Sequence, residues 1–211
     1  MKLFKILAIA AMAMVSSVSA QAGALTNVVL SNLGSDGNSA VYNQSTNLTG
    51  DRLSGSGFAV GASDFYLNAI NVAVFGGGDI TASIVNNNGG NPGATVFATR
   101  TLTGVTSAAQ TVTFNFNDFQ LTANQSYFVT LKSTGSSAAW YGRGSVPAVF
   151  PPGGLTYVSS RFAPNGTDWD ANGLEFQIAY SGSTVNPVPE PALTSLLCLS
   201  GIALIRRRMK K

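Results

Sequence analysis

Histidine is absent from the 211-residue chain, and cysteine occurs once, at Cys198. Without histidine the chain cannot build a Ser-His-Asp or Cys-His catalytic site, or a zinc or iron site with histidine ligands. A single cysteine forms no intrachain disulfide and no thiolate metal cluster. Charged residues are also scarce, at 10% of the chain. These shortages exclude several classes of nucleophilic and metal-dependent enzyme.

The formal net charge of +3 comes from the two ends of the chain. Seven of the twelve Lys and Arg residues lie at 2–5 and 206–211. Between residues 21 and 187 there are five basic and eight acidic residues, so this middle part is slightly acidic. Nucleic-acid binding calls for a basic face on the folded domain. We therefore expect no nucleic-acid partner.

Residues 1–20 have the parts of a secretory signal peptide. Lys2 and Lys5 precede an apolar, uncharged run, and small residues follow over 16–20. Cleavage is expected between Ala20 and Gln21, which implies an export translocase and a signal peptidase as partners. A buried N-terminal helix is the alternative. Such a helix would need an amphipathic stripe, and this run is apolar all round.

Residues 188–211 carry three features in a fixed order. A proline-flanked motif is followed by fourteen uncharged residues over 192–205 and then by a basic cluster. The motif is Val188, Pro189, Glu190 and Pro191, and the cluster is Arg206, Arg207, Arg208, Lys210 and Lys211. A helix of that length spans about 21 Å, less than the roughly 30 Å hydrocarbon core. The adjacent cations nevertheless indicate a transmembrane helix over 192–205, held by the positive-inside effect and by snorkelling side chains.

This order of features resembles the PEP-CTERM sorting signal of exported bacterial proteins. The resemblance implies that exosortase, a membrane-embedded cysteine protease-transpeptidase, cuts near the motif. The tail would first hold the precursor in the inner membrane, and the body would then pass to the cell surface or the extracellular matrix. A generic tail anchor with a proline-rich stem is the alternative.

Residues 21–187 predict one all-β domain, an antiparallel β-sandwich with a jelly-roll-like arrangement. Apolar and polar residues alternate as in half-buried strands, and no stretch shows helical periodicity with caps. Runs of Gly and Asn at 76–78 and 86–93 are expected to separate neighbouring strands. The alternating strands are predicted at 111–117, 127–132 and 174–181, and less regular ones at 25–30, 57–60, 67–75, 80–85, 95–99 and 156–162.

Four short segments of the body resemble, in their order, the choice-of-anchor R family of exported β-domains. They are Val-Leu-Ser-Asn-Leu-Gly at 29–34, Ser-Gly-Phe-Ala-Val-Gly at 56–61, Asn-Gly-Gly-Asn-Pro-Gly-Ala at 88–94 and Leu-Thr-Ala-Asn-Gln-Ser-Tyr at 121–127. The resemblance covers residues 28–180. It implies a shared domain carried on variable surface-attachment tails, and it supplies no catalytic residues.

One segment matches the first half of a calcium-binding loop. Asp168, Asp170 and Asn172 place oxygen ligands at loop positions 1, 3 and 5, and Gly173 occupies position 6. Ala179 stands at position 12, where such a loop needs a bidentate Glu. A turn rich in Asp and Asn is therefore favoured over a metal site, and no cofactor is expected.

Aromatic side chains exposed on a sandwich can stack against sugar rings. The candidates for such a platform are Trp140, Tyr141, Tyr157 and Trp169. Core packing is the alternative for each of them.

These patterns together predict an exported, exosortase-sorted protein of the cell surface or extracellular matrix. We expect a non-catalytic body associated with exopolysaccharide, with no catalytic residues. A carbohydrate-binding module is the alternative. A glycosidase acting on the matrix is less favoured, since it would need a carboxylate pair, such as Asp168 with Asp170 or Glu175.

Overall fold

The computed structural model describes residues 25–186, with the exception of residues 136, 152 and 172. The described residues form strands and no helix, so the prediction of an all-β body is confirmed. The predicted signal peptide, its cleavage site and the sorting tail lie outside the described residues. Across the described part of the chain, there is no helix long and apolar enough to span a membrane.

Fourteen strands follow one another along the chain. They are β1 (Val28–Ser31), β2 (Gln44–Asn47), β3 (Leu53–Val60), β4 (Phe65–Phe75), β5 (Gly78–Asn88), β6 (Asn91–Val105), β7 (Gln110–Leu121), β8 (Ser126–Ser133), β9 (Ala139–Arg143), β10 (Ala148–Val149), β11 (Leu155–Ala163), β12 (Asp170–Ala171), β13 (Glu175–Phe176) and β14 (Ile178–Ser183).

These strands form two antiparallel sheets, as predicted for a β-sandwich. The first sheet has the order β10-β1-β14-β4-β9-β13, with β7 also paired to β4 and β2 to β9. The second sheet has the order β12-β11-β3-β8-β5-β6. Successive long strands pass between the sheets: β3 is in the second, β4 in the first, β5 and β6 in the second, β7 in the first and β8 in the second.

The alternating segments of the sequence supply the core between the sheets. On β7, Val112, Phe114 and Phe116 are buried, whereas Asn115 and Asn117 are exposed. Register places Phe114 opposite Ile70 of β4 and Val112 opposite Val72. The apolar side chains of the two neighbouring strands therefore share one face of the first sheet, and the period-two pattern correctly predicted the burial of Val112, Phe114 and Phe116.

The Asn- and Gly-rich run at 86–93 separates β5 from β6 as expected, but most of the run is strand and only two of its residues form the turn. Strand β5 continues to Asn88 and β6 begins at Asn91. Gly89 and Gly90, with φ of 63° and 88°, form the whole turn. Two residues with positive φ match the twist of a hairpin, and glycine adopts them without strain. The strands could therefore continue to the turn.

A buried glutamine connects strands of the first sheet to a loop. Gln177 separates β13 from β14, and its backbone N–H donates to the Tyr141 carbonyl (2.9 Å). Its side-chain oxygen accepts from the Val41 N–H (2.6 Å), and its side-chain nitrogen donates to the carbonyls of Val41 and of Gly142 (3.2 Å to the latter). Its own carbonyl accepts from the indole N–H of Trp140 (2.9 Å).

We predict that Gln177→Ala lowers the free energy of unfolding of the full-length chain by about 3 kcal/mol, because backbone groups of Val41 and Gly142 lose buried partners. This corresponds to a fall in Tm of about 6–12 °C. The exposed Gln125 offers a matched control, and Gln125→Ala is expected to change stability by less than about 0.5 kcal/mol. Equal Tm values for the two variants would contradict the role given to Gln177.

Candidate functional site

An open cleft lies on the outer face of the second sheet. Its volume is about 700 Å³, and its walls are the start of β3, the turn end of the β5–β6 hairpin and the loop over 166–169. Trp169 stands in the last of these walls. An adjoining depression of about 310 Å³ shares Leu53, Pro92 and Trp169 with the cleft and continues along the sheet over Thr130 and Lys132. We call the two together the Trp169 cleft.

Two glycines on the outer face of β3 leave room for the Phe128 ring and for the β5–β6 hairpin. Phe58 of β3 points into the core, so Gly55 and Gly57 face the other way. A Cβ added at Gly57 would lie 2.8 Å from the Phe128 ring, and one added at Gly55 would lie 3.1 Å from Pro92 Cγ. The absence of side chains at these two glycines therefore lets Phe128 and the hairpin lie against the strand.

The hairpin wall is held by hydrogen bonds. The Arg161 Nε donates to the carbonyl of Gly90 at the tip (2.8 Å), and the Asn86 side-chain oxygen accepts from the Thr95 N–H (2.9 Å). A Cβ added at Gly93 would lie 2.3 Å from that Asn86 oxygen, so a larger residue there would displace the Asn86 side chain from its bond to Thr95. These contacts fix the hairpin wall of the cleft.

The loop wall is organised by Asn165. Its side-chain oxygen accepts from the backbone N–H of Thr167 (3.1 Å) and of Asp168 (2.9 Å), an arrangement typical of an Asx turn. Its side-chain nitrogen donates to the Asp168 carboxylate (2.6 Å). Gly166 has a φ of 80°, and a Cβ there would lie 2.5 Å from the Asp51 carbonyl oxygen. The turn presents Trp169 to the cleft.

Trp169 is half-buried and lines the cleft, which fits its prediction as a platform residue. For Trp140 the platform prediction was wrong, because this residue is fully buried. Its ring stacks on Phe176, with 4.4 Å between the ring centroids. Strand β9 has β2 on one side and β4 and β13 on the other, and Trp140 turns from it into the core.

Tyr141 and Tyr157 are half-buried and do not line the Trp169 cleft. Tyr141 packs between Tyr42 and Phe75, at centroid distances of 5.0 and 5.5 Å. Burial, and to a lesser extent the nearby Tyr42, raises the pKa of Tyr141. Tyr157 packs against the core, and its hydroxyl donates to Ser160 (3.2 Å). The rings of Tyr141 and Tyr157 are therefore both used in packing within the chain.

The three acidic candidates, Asp168, Asp170 and Glu175, lie in different surroundings. Asp168 lines the cleft, and neither Asp170 nor Glu175 does. Asp170 lies in β12 opposite Phe162. Glu175 lies in β13, where its carboxylate accepts a hydrogen bond from Ser160 (3.0 Å) and burial raises the pKa of the carboxyl group. A glycosidase would need two carboxyl groups facing one substrate. The described residues do not bring such a pair into the cleft.

Of the three calcium candidates, Asp168 and Asp170 are described and Asn172 lies outside the described residues. In the part of the chain that is described, no cluster of three or more His, Cys, Asp or Glu side chains is placed to hold a metal ion. The Asp168 carboxylate already takes part in the turn through Asn165. The turn built on Asn165 ends at Asp168, and Asp170 and Ala171 of the segment predicted as a turn form strand β12 instead.

The cleft could not have been recognised from residue spacing alone. Leu53, Pro92 and Trp169 come from distant parts of the chain, and the Arg161–Gly90 contact joins residues 71 positions apart. The sequence signal for the cleft was the alternation of serine and glycine over 54–57, which leaves one face of β3 without side chains.

Comparison with models of known protein families gives no match for this chain, and comparison with curated protein sequences gives none either. The two family resemblances therefore remain predictions.

We predict that 1 mM calcium leaves the stability of the full-length chain almost unchanged. A site with a Kd of 1 mM or weaker adds at most about 0.4 kcal/mol at that concentration. For a domain of this size the gain in Tm is then at most about 2 °C. A thermal melt with calcium, compared with one in chelator, measures it. A calcium-dependent rise of many degrees that Asp168→Asn removes would contradict the prediction.

Proposed function

We propose that the protein is exported and sorted by exosortase to the cell surface or the extracellular matrix. Its body serves there as a non-catalytic β-domain associated with exopolysaccharide. The observation that carries this proposal is the order of proline-flanked motif, apolar run and basic cluster over 188–211, together with the lysines, apolar run and small residues typical of a signal peptide over 1–20. These segments lie outside the described residues, so the support for sorting comes from the sequence.

The exterior of the body suits a hydrated matrix. Across the described residues a single ion pair forms, between Lys132 and Asp51 (3.9 Å). Hydroxyl groups take the place of charges on the face of the second sheet, where Thr81 bonds to Thr101 (2.9 Å). Uncharged hydroxyls form hydrogen bonds with a hydroxyl-rich polymer, and they offer little attraction to nucleic acid.

The strand order supports a jelly-roll arrangement for this body. In such a fold, eight strands alternate between two four-stranded sheets through two Greek keys. Within the first sheet, β1, β14, β4 and β7 are neighbours in that order, and within the second, β3, β8, β5 and β6 are. Numbered along the chain, these eight strands follow the interleaving that two Greek keys produce. The remaining six strands extend the two sheets.

The C-terminal end of the described body is exposed, which favours access of a protease to the tail that follows. Strand β14 ends at Ser183, and Val185 is 71% exposed. The motif at 188–191 therefore follows closely on a surface position. Pro189 and Pro191 cannot donate backbone hydrogen bonds, and each restricts the residue before it to extended conformations. An extended segment beside the membrane is a suitable substrate for a protease that binds an unfolded strand.

Export is expected to depend on the apolar run of the signal peptide. Leu7→Asp places a charge in the segment that must enter the translocase, and we predict that full-length precursor accumulates inside the cell. Immunoblotting of cell fractions measures this, and Leu7→Ile is the matched control that should be exported normally. Normal export of Leu7→Asp, or a surface form that begins at Met1, would contradict the signal peptide.

Sorting is expected to depend on the motif. Replacement of Pro189, Glu190 and Pro191 with alanine should preserve export and leave an uncleaved precursor in the membrane. This precursor is heavier than the surface form by roughly two kilodaltons, the mass of residues 192–211. Intact-mass measurement distinguishes the two forms. Alanines at the exposed Thr184 and Val185 are the control and should leave processing unchanged. Peptides from Arg206–Lys211 on the released surface form would contradict cleavage by exosortase.

A further inference from the structure

We infer that the Trp169 cleft is a binding site for an uncharged, hydroxyl-rich polysaccharide chain. The inference deepens the proposed function, on which it rests for the place where the body would meet such a polymer. It assigns the contact with the matrix to one surface of the second sheet.

The side chains of the cleft match the chemistry of a sugar. The half-buried indole of Trp169 offers an apolar face against which the C–H groups of a sugar ring can stack. Asn88 and Asn91 line the same space, and their amides can both donate to and accept from ring hydroxyls. Leu53 and Pro92 complete the apolar part of the lining. One aromatic surface with a few polar groups around it is the usual composition of a small-molecule site.

The shape of the cleft favours a chain over a single small molecule. The two spaces, of about 700 and 310 Å³, share walls and open along the sheet rather than into the core. Both volumes lie within the range of ordinary ligand sites. The second space runs over the hydroxyls of Thr81, Ser83 and Thr130. A polymer that stacks on Trp169 can therefore continue across this row of hydroxyl groups.

The charges in the cleft indicate an uncharged polymer. Lys132 lies at one end, and its ammonium group faces the Asp51 carboxylate at 3.9 Å. Asp168 lies at the other end, and its carboxylate accepts the hydrogen bond from Asn165. Lys132 is therefore paired with an opposite charge, whereas Asp168 keeps its negative charge beside a neutral amide. A strongly anionic polymer would be repelled by Asp168, and a strongly cationic polymer would be repelled by Lys132.

The walls are held in place by the chain itself. The Arg161–Gly90 bond holds the hairpin tip, and the Asn165 turn holds the loop that carries Trp169. A site that is already organised loses little conformational entropy when the ligand binds. This allows a few stacking and hydrogen-bonding contacts to give measurable affinity.

The experiment uses the fluorescence of the two tryptophans. Trp140 is fully buried and Trp169 is half-buried, so quenching by acrylamide reports chiefly on Trp169. The full-length chain is purified in a zwitterionic detergent, because sugar-headed detergents would compete. The probes are hydroxyethylcellulose, galactomannan, dextran and the neutral polysaccharide extracted from the producing cells. We expect at least one of them to protect Trp169 from acrylamide and to retard the protein in affinity electrophoresis.

Variants test the site itself. Trp169→Ala should weaken retardation by the bound polysaccharide about tenfold or more, since stacking on the ring is lost. Trp169→Phe should retain part of the affinity, and Asn91→Ala should weaken binding severalfold. Tyr42→Ala removes a partly exposed aromatic ring that packs with Tyr141 of the first sheet, and it should bind as the unchanged chain does. If the Trp169 and Asn91 variants keep the Tm of the unchanged chain, misfolding is excluded as the cause of their weaker binding.

Two results would overturn the inference. One is that none of the four polysaccharides protects Trp169 or retards the chain. The other is that Trp169→Ala, folded, binds a polysaccharide as tightly as the unchanged protein. Failure of the proposed sorting is seen separately, in the mass of the surface form. A chain that is processed correctly and binds no polysaccharide refutes this inference alone, whereas a chain that binds and is never processed refutes the sorting alone.

Discussion

The junction of β13 and β14 in the first sheet depends on the hydrogen bonds of one buried residue, Gln177. This residue interrupts the last strand of the first sheet, so that β13 pairs with β9 while β14 pairs with β4. Its amide joins Val41 and Gly142, and its carbonyl receives the indole N–H of Trp140. The chain has one cysteine and hence no intrachain disulfide. Buried hydrogen bonds and apolar packing therefore hold together segments that a disulfide holds in many exported domains.

A second buried amide reinforces the same region. Asn32 donates to the carbonyls of Ser145 and Phe176 (both 3.1 Å) and accepts from the N–H of Ile178 (2.9 Å). It therefore fixes the segment after β1 and the strand junction next to Gln177.

The regular part of the fold could be predicted from the sequence because its signal is local. Alternation over 111–117 identifies β7, and the buried residues follow directly from the period of a strand. Strand β9 was missed because Ala139 and Trp140 are both buried and hide the alternation. The extent of the β5–β6 hairpin was missed because asparagine occurs in loops more often than in strands. Here Gly89 and Gly90 alone make the turn.

Of the four aromatic residues that the sequence indicated, Trp169 is the one that lines the cleft. The sequence pointed to four aromatic residues, and which of them face the core depends on strand pairs formed by residues far apart in the chain. Trp140 packs in the core against Phe176 of β13, a residue far from it in the chain. The wall opposite Trp169 depends on Pro92 and on the Arg161–Gly90 bond, and neither follows from local spacing.

The proposed role requires a body that holds a protein in a hydrated glycan matrix, and the charge-poor surface and the Trp169 cleft of the described residues suit that role. The most direct test is the distribution of the processed protein between the extracellular matrix and the medium, measured by quantitative immunoblot for the unchanged chain and for Trp169→Ala. We predict that both chains are processed to the same mass, that the unchanged chain stays with the matrix, and that the variant passes largely into the medium. Equal retention of the two chains, or an unchanged chain that stays inside the cell, would contradict this role.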